Sequence, residues 1–186
     1  TWLIYRKSFG VTDVPDQLIA RIAADSKYWL WINDQLVIFE GGLKRGPSPS
    51  GTYYDPVDIA PYLTKGSNTI AILLWHFGKD GFSHINSGKA ALLFEAIAPG
   101  LEIVSDASWQ CALYEAYQNT EAPFPNYRMP ESNIRFDARQ AITNWNRTSF
   151  EGSLPGAVCV GKAGKAPFGD LLERPIPHWK NSGLLS

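Results

Sequence analysis

The chain has 186 residues, 45% of them apolar and 13% aromatic, and a formal net charge of -1. That is apolar mass enough for one core of ordinary domain size. It leaves no basic surplus to neutralise phosphates or dock on an anionic bilayer, and no run nears the roughly 20 apolar residues of a membrane-spanning helix, so neither nucleic acid nor membrane is expected as a partner.

The chain opens at Thr1 inside a strand-like run, and Met129 is its only methionine, which reads as a cut piece or a processed product. Residues 2–9 form that first strand, followed by a polar turn at 12–16. Residues 17–24 alternate, with Leu18, Ala20 and Ile22 on one face. Residues 28–33 alternate again, placing Tyr28, Leu30 and Ile32 opposite Trp29 and Trp31. The two indoles fit a second core layer, an interface patch or a sugar platform. Asn33-Asp34 signals a tight hairpin, since both residues tolerate positive φ, and the return strand is expected at 36–39. Glycine and proline punctuate a loop at 41–51. Asp58 is placed to cap a short turn over 59–63, where Pro61 is tolerated early. Residues 65–68 turn the chain into 69–75, apolar on both faces and hence a central strand.

Further strands are expected at 90–98, ending on Pro99-Gly100, and at 109–114. Three prolines make 120–132 a surface excursion, and 134–138 and 157–160 read as late strands. Cys111 and Cys159 lie in apolar settings that fit buried free thiols or a disulfide. Eight or more short strands at hairpin spacing predict an all-β chain, a jelly-roll-type sandwich of galactose-binding-like kind, with short helical turns and a long irregular C-terminal segment. The expected division is a sandwich over 1–173 and an exit linker over 174–186.

Four segments carry a resemblance. They are Tyr28-Trp-Leu-Trp-Ile-Asn33, then Tyr54-Asp-Pro-Val-Asp-Ile-Ala-Pro-Tyr-Leu63 running on to Gly66-Ser-Asn68, then Ser105-Asp-Ala-Ser-Trp109, and Phe136-Asp-Ala-Arg139 with Trp145 beyond it. Together with Arg174-Pro-Ile-Pro177 they resemble the N-terminal β-sandwich module of bacterial α-L-rhamnosidases. The first two segments are shared with sugar-binding modules of β-galactosidases and β-glucuronidases. Asp34 departs from the family's usual Gly, and Leu154 stands where Trp is expected. The resemblance implies an accessory domain beside a catalytic domain of the same polypeptide, which holds the catalytic carboxylates, and contact with rhamnose-containing glycans. It sets a freestanding lectin-like module, or a domain of another glycosidase, as alternatives. A periplasmic or extracellular location is favoured over the cytoplasm.

Glycoside hydrolysis commonly needs two carboxyl groups facing one bond. Asp13, Asp16, Asp34, Asp58 and Asp106 instead sit at turns, while Glu40, Glu95 and Glu115 are scattered on strands. No nucleophile elbow, phosphate loop or Cys-x-x-Cys occurs, so no catalytic residue is assigned. Residues 75–88 are the candidate binding loop, concentrating Trp75, His76, Asp80, Phe82, His84 and Asn86. Aromatic faces beside amide and carboxylate groups suit a pyranose, whose C–H faces stack and whose hydroxyls need directional partners. The same loop could equally pack on a neighbouring domain. His76, Asp80 and His84 recur every four residues, but Gly78 and Gly81 argue against the helix that would align them on a transition metal. Calcium held by Asp80, Asn86 and main-chain carbonyls is chemically reasonable, with no other cofactor indicated. Trp75→Ala is expected to lower stability, and Phe82→Ala and His84→Ala to leave it nearly unchanged.

Overall fold

The computed structural model describes residues 1–43, 51–81, 84–119, 134–180 and 182–183. Its strands are β1 (Trp2–Val11), β2 (Ile19–Asp25), β3 (Lys27–Ile32), β4 (Gln35–Gly42), β5 (Gly51–Asp58), β6 (Gly66–Trp75), β7 (Ala91–Ala98), β8 (Leu101–Val104), β9 (Gln110–Leu113), β10 (Tyr117–Asn119), β11 (Ile134–Phe136) and β12 (Asp170–Glu173). Two five-stranded sheets, ordered β4-β3-β6-β1-β9 and β12-β5-β2-β7-β8, face each other, and β10 pairs with β11 as a small ribbon. All pairings are antiparallel except β12 with β5. The all-β sandwich expected from strand spacing is what forms.

Side-chain alternation builds three apolar layers from these two sheets. Between the sheets lie Leu18, Ala20 and Ile22, facing Tyr28, Leu30 and Ile32 and the inward side of β6, Ile70, Ile72 and Leu74. The opposite face of the first sheet is also apolar, carrying Trp2, Ile4, Leu73 and Trp75 with Trp29 and Trp31 packed against them. Residues 137–156 lie over that face through Trp145, Phe150 and Leu154. The two indoles of β3 thus belong to a second core layer. On the outer face of the second sheet, Phe168 covers Ala23 and Ala91, flanked by Tyr54, Leu93 and Leu171.

Turn chemistry follows the sequence closely. Asn33 and Asp34 take φ of 45° and 71°, so the missing hairpin glycine costs no turn. Asn33 Nδ2 donates to Tyr62 O at 2.8 Å and to Asn68 Oδ1 at 2.7 Å, while Asn68 closes its own turn through Thr64 and Gly66. Asp58 accepts from the main chain of Ala60 at 3.1 Å and of Leu18 at 3.0 Å, tying a single 3-10 turn at Ala60–Tyr62 to the approach to β2. Trp109 is buried and its indole N–H donates to Val104 O at 2.8 Å.

Two expectations need correction, and several strands are not among those expected. Residues 157–160 form no strand: only Gly156 makes a lone bridge to Gln110, only Ala157 of the four packs partly buried against the core, and Val158 is 81% exposed. β5 goes unrecognised because Pro56 argues against a strand, yet β12 pairs only with 51–54, so no neighbouring strand on that side asks for the missing N–H. β8 and β12 are too short to show a period. Both cysteines are free, and Cys159 is exposed rather than buried. The surface excursion at 120–132 lies outside the described residues, as does most of the loop at 41–51. No helix among the described residues is long and apolar enough to cross a membrane.

Candidate functional site

β2 ends on Asp25, and Ser26 carries the chain across to β3 in the other sheet. Both are fully buried. Asp25, Ser26 and the buried Lys27 are three polar residues set between apolar ones where the two sheets meet the end of β6, the central strand that terminates in Trp75. Beyond Trp75 the chain folds back over this point, bringing His76 and His84 onto the Asp25 carboxylate.

The contacts converge on one oxygen. Asp25 Oδ1 accepts from Ser26 Oγ at 2.7 Å and lies 3.0 Å from His84 Nε2. His76 Nδ1 stands 3.3 Å from the same atom, at ion-pair distance but without hydrogen-bond alignment. Asp25 Oδ2 accepts the Ser87 N–H at 2.6 Å. Ser26 Oγ, whose one proton goes to Asp25, accepts from Phe77 N at 3.0 Å and lies 3.1 Å from His84 Nε2. Burial pushes the Asp25 carboxyl up, but the contacts from His76, His84, Ser87 and Ser26 outweigh it and hold it well below the usual carboxylate range. The carboxylate stays charged.

A Ser, a His and an Asp in mutual contact invite comparison with a hydrolytic triad, and the geometry rejects it. A triad needs the carboxylate on one imidazole nitrogen and the nucleophile on the other. Here both face His84 Nε2, while its buried Nδ1 has no hydrogen-bond partner. With Asp25 and Ser26 at 0% and His84 at 1% exposure, no substrate reaches them. Nor do the groups surround a vacant point: among the described residues no three His, Cys, Asp or Glu side chains are placed to hold a metal ion. The cluster staples the loop to the sandwich.

The candidate sugar-binding residues fall into two groups. Trp75 is buried, stacked on Trp2 at 4.4 Å and edge-on to Phe77 at 4.7 Å, and His76 and His84 hold Asp25. Asp80 is exposed and its Oδ1 accepts the Asn86 N–H at 2.8 Å, while Asn86 Oδ1 accepts the Gly88 N–H at 3.0 Å. Asp80 and Asn86, the two side chains proposed for calcium, are thus neighbours at the surface. Phe82 lies outside the described residues. Burial overturns the expectation that His84→Ala is nearly neutral. Asp25, Ser26 and Ser87 were missed, although the polar stretch Asp25-Ser26-Lys27 between apolar residues was a visible signal.

A second polar centre lies between the sheets. Asp55 is fully buried and pairs with Arg174; its Oδ2 accepts from Tyr28 Oη at 2.9 Å and Gly42 N at 2.9 Å. Burial, then the Asp55 charge, push the Tyr28 hydroxyl well above its ordinary value, which keeps it a donor.

A GH78 family rhamnosidase of Bacillus sp. GL1 superposes on this structure with a TM-score of 0.78 and 29% sequence identity, over 95% of this chain and 18% of that one. An α-L-rhamnosidase from Dictyoglumus thermophilum matches with a TM-score of 0.66 and 20% identity, over 95% of this chain and 19% of that one. The fold is that of a rhamnosidase β-sandwich module. The chain spans less than a fifth of the length of either rhamnosidase. A Pleurotus ostreatus lectin shares the fold at a TM-score of 0.57 and 14% identity, over 95% of this chain and 42% of that one. No family model and no curated protein sequence matches the chain.

Proposed function

We propose that this chain is a non-catalytic accessory domain of an α-L-rhamnosidase-type glycoside hydrolase, supporting a catalytic domain of the same polypeptide and contacting rhamnose-containing glycans. The observation that carries this reading is the alignment of 95% of the chain on a small part of a rhamnosidase at 29% identity. The sealed Asp25 cluster supports it, because the one hydroxyl–imidazole–carboxylate set described here has no access to substrate. Residues 1–173 are the sandwich and 174–186 the exit toward the next domain, with Arg174 tethered to Asp55 at the boundary. Glycan contact through the loop falls to Asp80 and Asn86, since Trp75, His76 and His84 are spent on packing. Periplasmic or extracellular residence goes with this role.

The test is an aryl α-L-rhamnoside assay on this chain and on the whole parent polypeptide. Release of p-nitrophenol by the parent, and none by the chain alone, is expected. Turnover by the chain alone overturns the reading. The sandwich of the Pleurotus lectin favours a second reading, a freestanding lectin-like module. Strong autonomous binding on a glycan array, with no catalytic domain encoded after Ser186, would select it.

A further inference from the structure

The outer face of the second sheet carries a cavity of about 470 Å³. That volume lies inside the span of small-molecule sites, about 300 to 1,000 Å³. Strand register sets its lining. Arg21 pairs with Glu95 across β2 and β7, and Ala23 pairs with Leu93 two residues on. Residues two apart share a face, so a charged row and an apolar row lie side by side. Tyr54 and Leu171 pack beside Ala23 and Leu93 and widen the apolar floor. Cys159 and residues 161–163 form the facing wall.

Charge around the cavity does not balance. Arg21 Nη1 donates to Glu95 Oε1 at 3.0 Å, so these two half-exposed groups offset each other. Lys162, on the facing wall, makes no ion pair among the described residues. One positive charge is left over, on a compact ammonium with three donors. The other polar side chains of the lining already have partners. Ser105 Oγ accepts from Phe94 N at 3.1 Å, Cys159 Sγ donates to Gly161 O at 3.2 Å, and Tyr54 Oη lies 3.3 Å from Glu173 Oε2. Ala23, Leu93 and Leu171 offer no side-chain donor or acceptor, so that floor gains from hydrocarbon that displaces water. An uncharged apolar ligand leaves Lys162 unanswered. A dianion brings a second negative charge that only the Arg21–Glu95 pair is left to meet. The ligand that fits carries a single negative charge on a hydrocarbon body.

We propose that this cavity binds an apolar monocarboxylate, of the kind of a medium-chain fatty acid or an arylpropenoic acid. The carboxylate pairs with the Lys162 ammonium, and the hydrocarbon body lies on Ala23, Leu93 and Leu171 beside Tyr54. This binding goes beyond the accessory role proposed above and does not depend on it.

NMR titration of the 186-residue chain with octanoate, trans-cinnamate and uncharged 1-octanol tests it. Either carboxylate is expected to give saturable shifts at the amides of Ala23, Leu93, Lys162 and Leu171, with 1-octanol weaker. Comparing octanoate with cinnamate separates a lipid-derived ligand from an aromatic one. Lys162 is exposed, so Lys162→Gln should fold as the parent chain does. It should weaken carboxylate binding about threefold to tenfold and leave 1-octanol unchanged. Raised salt should weaken the carboxylates alone. Three results overturn the proposal: no saturable shift at these amides, 1-octanol binding as tightly as octanoate, or unchanged carboxylate affinity in Lys162→Gln. Each leaves the accessory role standing, whereas rhamnoside turnover by the chain alone removes that role without touching the cavity.

Discussion

Asp25 has no exposed atom to gain from hydration, so its charge depends on the groups that surround it. Its depressed folded value makes it a stabilising group at neutral pH. The sign follows from linkage: stability from Asp25 is fully present above the unfolded carboxyl value, about 3.9, erodes as pH falls below it, and is gone below the lower folded value. Asp25→Asn removes the charge that faces two imidazoles and replaces one acceptor oxygen with an amide donor, and is expected to cost about 3 kcal/mol at pH 7. His84→Ala is expected to destabilise as well, by about 2 kcal/mol or more, through a cavity and a weakened carboxylate site. Urea midpoints at pH 7 and pH 3 check both. The deficit of Asp25→Asn should be smaller at pH 3 than at pH 7, because the unfolded carboxyl is protonated at pH 3 while the folded one is held lower. Half of this centre was legible. His76 and His84 stood out in the sequence as polar residues in an aromatic loop, but their partner lies some fifty residues earlier, and no local period links a loop to the end of a distant strand.

At the scale of elements, the segment 137–156 stays on the first sheet through one side chain above all. Arg6 is 6% exposed, and its guanidinium donates to Trp145 O at 3.1 Å and Arg147 O at 2.8 Å while lying 5.3 Å over the Phe150 ring. Asp34 pins the same segment by accepting from Thr148 N at 2.6 Å. Arg6→Ala leaves two carbonyls without their donor and is expected to cost about 2 kcal/mol. Hydrogen exchange should show it locally, with faster exchange at Arg147 and Phe150, whose amides close the turns of that segment. Unchanged protection there would mean that the apolar contacts of Trp145 suffice. The sequence marks Trp29 and Trp31 as a second face, yet nothing in β3 says what covers it. The cover comes from residues more than a hundred positions later.

For the molecule as a whole, Arg174 ties the end of β12 to the buried polar centre at Asp55. β12 runs parallel to β5, and the residue after it reaches back to Asp55, donates to Leu43 O at 3.3 Å and lies 5.5 Å over the Tyr53 ring. Removing it leaves a buried carboxylate without a counter-charge. Arg174→Ala is expected to cost about 3 to 5 kcal/mol in urea unfolding. Pairing it with Asp55→Asn should recover part of that loss, and a purely additive double variant would show that the ion pair does not couple the end of β12 to β5.

Sequence alone determined the layered β architecture, most of its turns, and the two faces of the longer alternating strands, because these depend on alternation and on residues that tolerate particular φ values. Tertiary structure decided which polar groups are sealed and which meet solvent. It placed Asp25 with His76 and His84, Asp55 with Arg174, and Arg21 beside an open cavity. Burial is a property of what lies across the sheet, and a one-dimensional pattern carries no record of the partner on the other side.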